Sequence, residues 1–163
     1  MRYGPFRRPG RTICIAGTAG AIEYQLRGSS ARLGAGRYLV AESGTLYVTV
    51  VDVKRNSEKI FVGVDSGMGH LIRPAMYGSY HIIENVSRPH TPKEKVTIAG
   101  YYCESGDVLA KDRQLPMPEI DDILAIRNAG AYGYAMSSDY NLRPKPAEIL
   151  IDSENISLVR ERK

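Results

Sequence analysis

Cys103 and Glu104 stand side by side in the run Tyr102-Cys103-Glu104-Ser105-Gly106-Asp107. Gly followed by Asp reads as a sharp turn between two alternating apolar segments, and such a turn presents both side chains at the end of a strand. A thiol placed there can deliver a proton, and the adjacent carboxylate can bind a substrate ammonium. A lone cysteine is also often an inert small hydrophobe. The pair by itself leaves both readings open.

Three further clusters carry polar chemistry. Arg73 and Tyr77 are four residues apart in Ile72-Arg73-Pro74-Ala75-Met76-Tyr77. On a helical turn they share a face, where the guanidinium fork and the phenol suit a carboxylate. An arginine satisfying loop carbonyls is the equal alternative. Tyr132 lies among small residues in Asn128-Ala129-Gly130-Ala131-Tyr132-Gly133-Tyr134. These let a ligand or another backbone approach closely. Its hydroxyl could meet a phosphate, and its ring could equally be core. Gly34-Ala35-Gly36-Arg37 could form an anion nest of backbone amides, with Arg37 adding charge, or an ordinary turn.

At 163 residues the chain suits one domain with a real core. No stretch approaches the apolar length of a membrane span. The mostly apolar patch Ile13 to Ile22 is interrupted by Gly17, Thr18 and Gly20, which weakens a signal-peptide reading. Cys14 and Cys103 are far apart and lack CxxC partners. That argues against a disulfide scaffold or a metal site and points to a reducing cytoplasm. The net charge is +4, yet residues 1–37 hold seven Arg and one acid, Glu23, a balance of +6. Residues 38–163 therefore sum to −2, which speaks against a nucleic-acid footprint on the folded body.

The elements that must position these residues begin after Arg37. Before it, cations are all Arg, Gly is frequent and regular alternation is missing. After it, β-type alternation starts at once. Strands are expected at Leu39–Val53 (one strand, or a pair broken near Ser43-Gly44), Lys59–Val64, His81–Val86 and Lys95–Gly100. Others are expected at Val108–Ala110, Ile123–Ile126 and Ala147–Ile151. Only Leu71–Tyr80 could form a short helix, with Pro74 in its first turn. Short strands separated by Gly, Pro, Asp and Asn clusters predict a mainly β fold, a Greek-key-like barrel or sandwich.

Residues 36–151 resemble the C-terminal half of the diaminopimelate decarboxylase family, pyridoxal-phosphate enzymes of the alanine-racemase-like fold group. The resemblance rests on DSGMxxLIRPAMYxxYH at Asp65–His81, AGYYCESGD at Ala99–Asp107, and AGAYGYAMSSDYNLRPKPAE at Ala129–Glu148. It implies decarboxylation of meso-diaminopimelate to L-lysine, with pyridoxal phosphate as the electron sink. By position, Cys103 matches the family's proton donor, which acts from a neighbouring subunit, and Glu104 matches the residue gripping the distal amine. Arg37, Arg73 and Tyr77 match contacts to the substrate, mostly its distal carboxylate. Tyr132 matches a tyrosine touching cofactor and substrate, and Gly36 and Arg37 fall in the cofactor-binding element. A homodimer, or association with a barrel-containing partner, is implied as well.

Two departures from the family pattern stand out. Gly34-Ala35-Gly36-Arg37 replaces the family's Glu-Pro-Gly-Arg, losing an acid. The family's N-terminal α/β barrel, which carries the Schiff-base lysine, has no counterpart in residues 1–35, and no lysine precedes Lys54. A one-base slip near Gly36 would turn codons for Glu-Pro-Gly into Gly-Ala-Gly, making residues 1–35 out-of-frame and poorly ordered. An N-terminal extension or a naturally short paralogue is the other explanation. The expectation is a decarboxylase C-terminal β-domain at 36–163, inactive alone. The alternatives are a non-catalytic ligand-binding or dimerisation domain, and a decarboxylase for another basic amino acid.

Overall fold

The structure, a computed structural model, describes residues 13–17, as backbone, and 36–162. Among these residues the strands are β1 (Ile13–Gly17), β2 (Gly44–Arg55), β3 (Ile60–Val64), β4 (Ile83–Asn85) and β5 (Lys93–Ala99). They continue with β6 (Val108–Pro116), β7 (Ile123–Ile126), β8 (Ala147–Asp152) and β9 (Asn155–Arg160). Two one-turn helices, α1 (Gly36–Val40) and α2 (Arg73–Tyr77), interrupt them. The mainly β expectation holds, and the sheet curls into a nearly closed, barrel-like form.

The long strand β2 organises everything else. Its first half pairs antiparallel with β1 on one edge and with β7 on the other. Its second half, past a register shift between Val50 and Asp52, pairs with β3. A strand shared in this way bends the sheet around its own apolar face. The order then runs β6-β5-β3-β2-β1-β8-β9, with β4 attached through β7. The β3–β5 and β1–β8 pairs are parallel, and the others antiparallel.

Alternation along β2 and β3 sends Leu46, Val48, Val50, Val62 and Val64 inward, where Ile98, Leu124, Ile126 and Leu71 meet them with at most 2% exposure. Each such side chain contributes about 1.5–3 kcal/mol through burial. The polar end of β4 is closed by Asp122, whose carboxylate takes hydrogen bonds from Asn85 (3.1 Å), Arg88 (3.0 Å) and the Glu119 amide (2.9 Å). Buried polar groups there are therefore satisfied in a network.

Several boundaries differ from the sequence expectation. Leu39 and Val40 belong to α1, and the strand begins only at Gly44. The helix is held because Ala41 bonds back to the Arg37 carbonyl and the Ser43 hydroxyl to that of Val40. The expected helix at Leu71–Tyr80 shortens to α2, which Gly78 stops in the left-handed conformation (φ 62°). The strand at Val108 runs on to Pro116, since Asp112 (φ 51°) sits at a bulge and bonds to the Thr97 hydroxyl. Two strands were not expected. β9 is exposed along its whole length. β1 lies inside the segment read as strand-poor, and Ile13–Gly17 there form a strand that alternation did not predict. The rest of residues 1–35 lies outside the described residues.

Candidate functional site

The expected residues fall into two clusters. The first surrounds a cleft of about 460 Å³ lined by Arg37, Tyr38, Glu42, Arg73, Tyr80 and His81, together with Ala41, Ser79 and Asn128. Backbone packing brings its walls together. Gly130 donates its amide to the Ala41 carbonyl (3.0 Å), and a Cβ on Gly130 would lie 2.0 Å from the Val40 carbonyl oxygen. Only glycine permits this approach, which sets α1 beside the Asn128–Tyr132 loop. Asn128 and Tyr132 both hold left-handed backbone, at φ 61° and 59°. For an aromatic residue that conformation costs about 1–3 kcal/mol, so the surroundings must impose it.

Arg73 is the centre of this cluster. Its guanidinium lies 5.6 Å from the Tyr77 ring and 5.4 Å from the Tyr132 ring, and it donates to the Ser79 hydroxyl (3.1 Å). Two aromatic faces hold the cation while leaving its other donors for a ligand. Arg37 shares the cleft with it. His81, buried, gives its Nδ1–H to the Arg127 carbonyl (3.0 Å), which leaves Nε2 as an acceptor without a hydrogen-bond partner. Burial, then Arg73 and Arg113, hold the imidazole below its ordinary value, so it adds no third cation.

The second cluster is the Cys-Glu turn. Cys103 and Glu104 are both exposed, and Cys103 is a free thiol. Asp107, which closes the turn, is buried and accepts hydrogen bonds from the amides of Met68 (2.6 Å) and Tyr102 (2.8 Å). Its carboxylate packs on Gly67 and Gly100, where a Cβ would lie 2.4 and 2.0 Å from it. Burial raises its carboxyl above the ordinary range, and the two amide bonds oppose that shift. Glu104 accepts a hydrogen bond from the hydroxyl of Tyr140, whose ring stacks on Tyr102.

The backbone joins the clusters. The turn at Gly67–Leu71, gripped by Asp107, leads within two residues to Arg73 on α2. His70, inside that turn, receives the Ser66 hydroxyl at Nδ1 (3.0 Å) and donates from Nε2 to the Pro144 carbonyl (3.1 Å). Burial lowers its value from 6.5 to about 4, so it is neutral.

The profile described as "Pyridoxal-dependent decarboxylase, C-terminal sheet domain" matches residues 37–130. The chain belongs to the pyridoxal-dependent decarboxylases. A diaminopimelate decarboxylase of Methanothermobacter thermautotrophicus is 50% identical over 141 residues, which cover 86% of this chain and 33% of that protein. Another, from Campylobacter jejuni, is 43% identical over 148 residues, with 88% and 36% covered. Diaminopimelate decarboxylase from M. jannaschii in complex with L-lysine superimposes with a TM-score of 0.74 at 42% identity, covering 78% of this chain and 29% of that one. The chain spans about a third of the length of the curated relatives it matches.

The cleft suits one part of that family's chemistry. Two guanidiniums and the phenol hydroxyls fit an anion. No lysine lines it, so it offers no amine to condense with the aldehyde of pyridoxal phosphate. The described residues therefore do not by themselves fit the cofactor. Gly36 opens α1 and Arg37 follows it, while Gly34 and Ala35 of the expected nest lie outside the described residues. Sequence reasoning assigned no role to Asp107, Tyr140, Ser79, Tyr80 or His81. Asp107 and Tyr140 stood within quoted motifs, but their partners, Met68 and Glu104, are nearly 40 residues distant and only folding brings them together.

Proposed function

We propose that this chain is the substrate-gripping and proton-delivering part of a diaminopimelate decarboxylase, working with a barrel-carrying polypeptide that holds pyridoxal phosphate. The observation that carries the reading is Arg73, sandwiched near Tyr77 and Tyr132 and sharing its cleft with Arg37. Paired guanidiniums at an open cleft favour a substrate bearing a second carboxylate, which lysine and ornithine lack. Glu104, an exposed carboxylate, binds the distal amine, and Cys103 beside it gives its proton to the substrate carbon that loses carbon dioxide. When bound, the cofactor withdraws electrons from that carbon; the side chains here orient the substrate and supply the proton.

In this reading Arg37, Arg73, Tyr77 and Tyr132 serve one catalytic centre, with Gly36, Arg37 and Tyr132 facing its cofactor, while Cys103 and Glu104 reach the centre of a neighbouring subunit. The assembly is a dimer in a cytoplasmic lysine-forming step. The test is to mix the purified chain with a barrel polypeptide of a relative, pyridoxal phosphate and meso-diaminopimelate, and to measure L-lysine. The chain alone forms none, and the mixture forms it at a rate that Cys103→Ala reduces. Turnover by the chain alone would refute the need for a partner, whereas a mixture that assembles but stays inert would refute the reading and favour a non-catalytic β-domain.

A further inference from the structure

We infer that Tyr140 is a positioning residue, holding the Glu104 carboxylate in one orientation on the open side of the Cys-Glu turn. The inference rests on the proposed role of Glu104 as the amine-binding group. An exposed glutamate, left alone, spreads over many rotamers and loses that freedom when it binds a ligand. Here its carboxylate accepts the hydroxyl of Tyr140, and the Tyr140 ring stacks on Tyr102 at 6.0 Å with 29° between the planes. Tyr102 is itself buried and fixed through its amide to Asp107. The phenol therefore transmits the rigidity of the turn to the carboxylate beside it.

The segment bearing Tyr140 is pinned on both sides. The Ser138 amide donates to the Gly69 carbonyl (2.8 Å), and His70 donates to the Pro144 carbonyl (3.1 Å). The Arg143 guanidinium lies 4.4 Å over the Tyr101 ring. Between these anchors Asn141 and Leu142 both hold left-handed backbone at φ 56°, unfavourable for non-glycine residues and kept only where the surroundings determine it. Such an arc presents Tyr140 in one place. Its phenol is raised above the ordinary range, first by the hydrogen bond to Glu104, then by the charge of Glu104, with a smaller contribution from Cys103. The thiol, the carboxylate and the phenol thus form one cluster.

Two measurements test this. In the chain labelled with 13C at the tyrosine ring, Tyr140, assigned by Tyr140→Phe, should titrate above an ordinary tyrosine and fall back in Glu104→Gln. An identical Tyr140 titration in both proteins would overturn the pairing. In the assembly with the barrel polypeptide, Tyr140→Phe keeps the ring stack and removes only the hydroxyl. It should raise KM for meso-diaminopimelate by about three- to tenfold, with kcat changed by less than about twofold. A fall in kcat at constant KM would overturn the positioning role. A wild-type assembly without turnover would count against the proposed function alone, and the titration would still decide the Tyr140–Glu104 pair.

Discussion

Replacing Asp107 by Ala would leave the amides of Met68 and Tyr102 without their acceptor. Each unmade buried bond costs about 1–3 kcal/mol, so chemical denaturation should show a loss of a few kcal/mol, and alkylation of Cys103 should change as its turn loosens. Asp107→Asn, which keeps one acceptor oxygen, should lose less. The pH dependence is set mainly by His70, whose value is about 4 in the folded protein against an ordinary 6.5. Between these values the unfolded chain binds a proton that the folded chain refuses. Stability should therefore fall as pH drops from 6.5 to about 4, by about 1–3 kcal/mol. Asp122, held below the usual carboxylate range against its burial by the Glu119 amide, Asn85 and Arg88, continues the loss below that. His81, also lowered, acts in the same direction. Asp107, raised, acts oppositely, because its folded carboxyl keeps a proton longer than the unfolded one. Unfolding followed by circular dichroism across this range should show the decline, and His70→Gln, which retains an N–H for the Pro144 carbonyl, should flatten it.

The strands β2 to β7 were legible in the sequence because alternation at Leu46, Val48 and Val50, or the run at Ile123–Ile126, follows directly from one face being buried. β9 was not, since all six of its residues are exposed and no buried face imprints a period. The end of β6 was hidden for a similar reason: Lys111, Asp112 and Arg113 interrupt its alternation at a bulge. β1 is the instructive case. An apolar patch at Ile13 was visible, but its place is fixed by β2 and β8, which lie far along the chain. Flanked on both edges, β1 turns each of its amides toward one neighbour, so Ile15→Pro must break a ladder bond. Hydrogen exchange should then accelerate across Ala147–Arg160, while Val48, Val50 and Leu124 in β2 and β7 stay protected. Equal acceleration throughout would mean that β1 supports the whole barrel rather than the β8–β9 flap.

At the scale of the molecule, the site is open. Tyr38 and Tyr80 line the cleft and Tyr77 and Tyr132 flank Arg73, each at least 45% exposed. Aromatic surface around a cationic cleft is the composition of an interface centre, and it fits the proposed neighbour. The motifs carried the residue types of the site into view. They could not show that Arg73 and Cys103 belong to different clusters, since both lie within one 40-residue stretch of the chain. The central claim is that these clusters serve two catalytic centres across a subunit boundary. Mixing the chain carrying Arg73→Ala with the chain carrying Cys103→Ala, in the barrel-completed assembly, tests it directly. Random pairing makes half of the dimers mixed, and each mixed dimer regains one intact centre of two, so lysine formation should recover to about a quarter of the wild-type rate. If both clusters served the same centre within one subunit, each mixed dimer would hold two defective centres, and mixing would restore nothing.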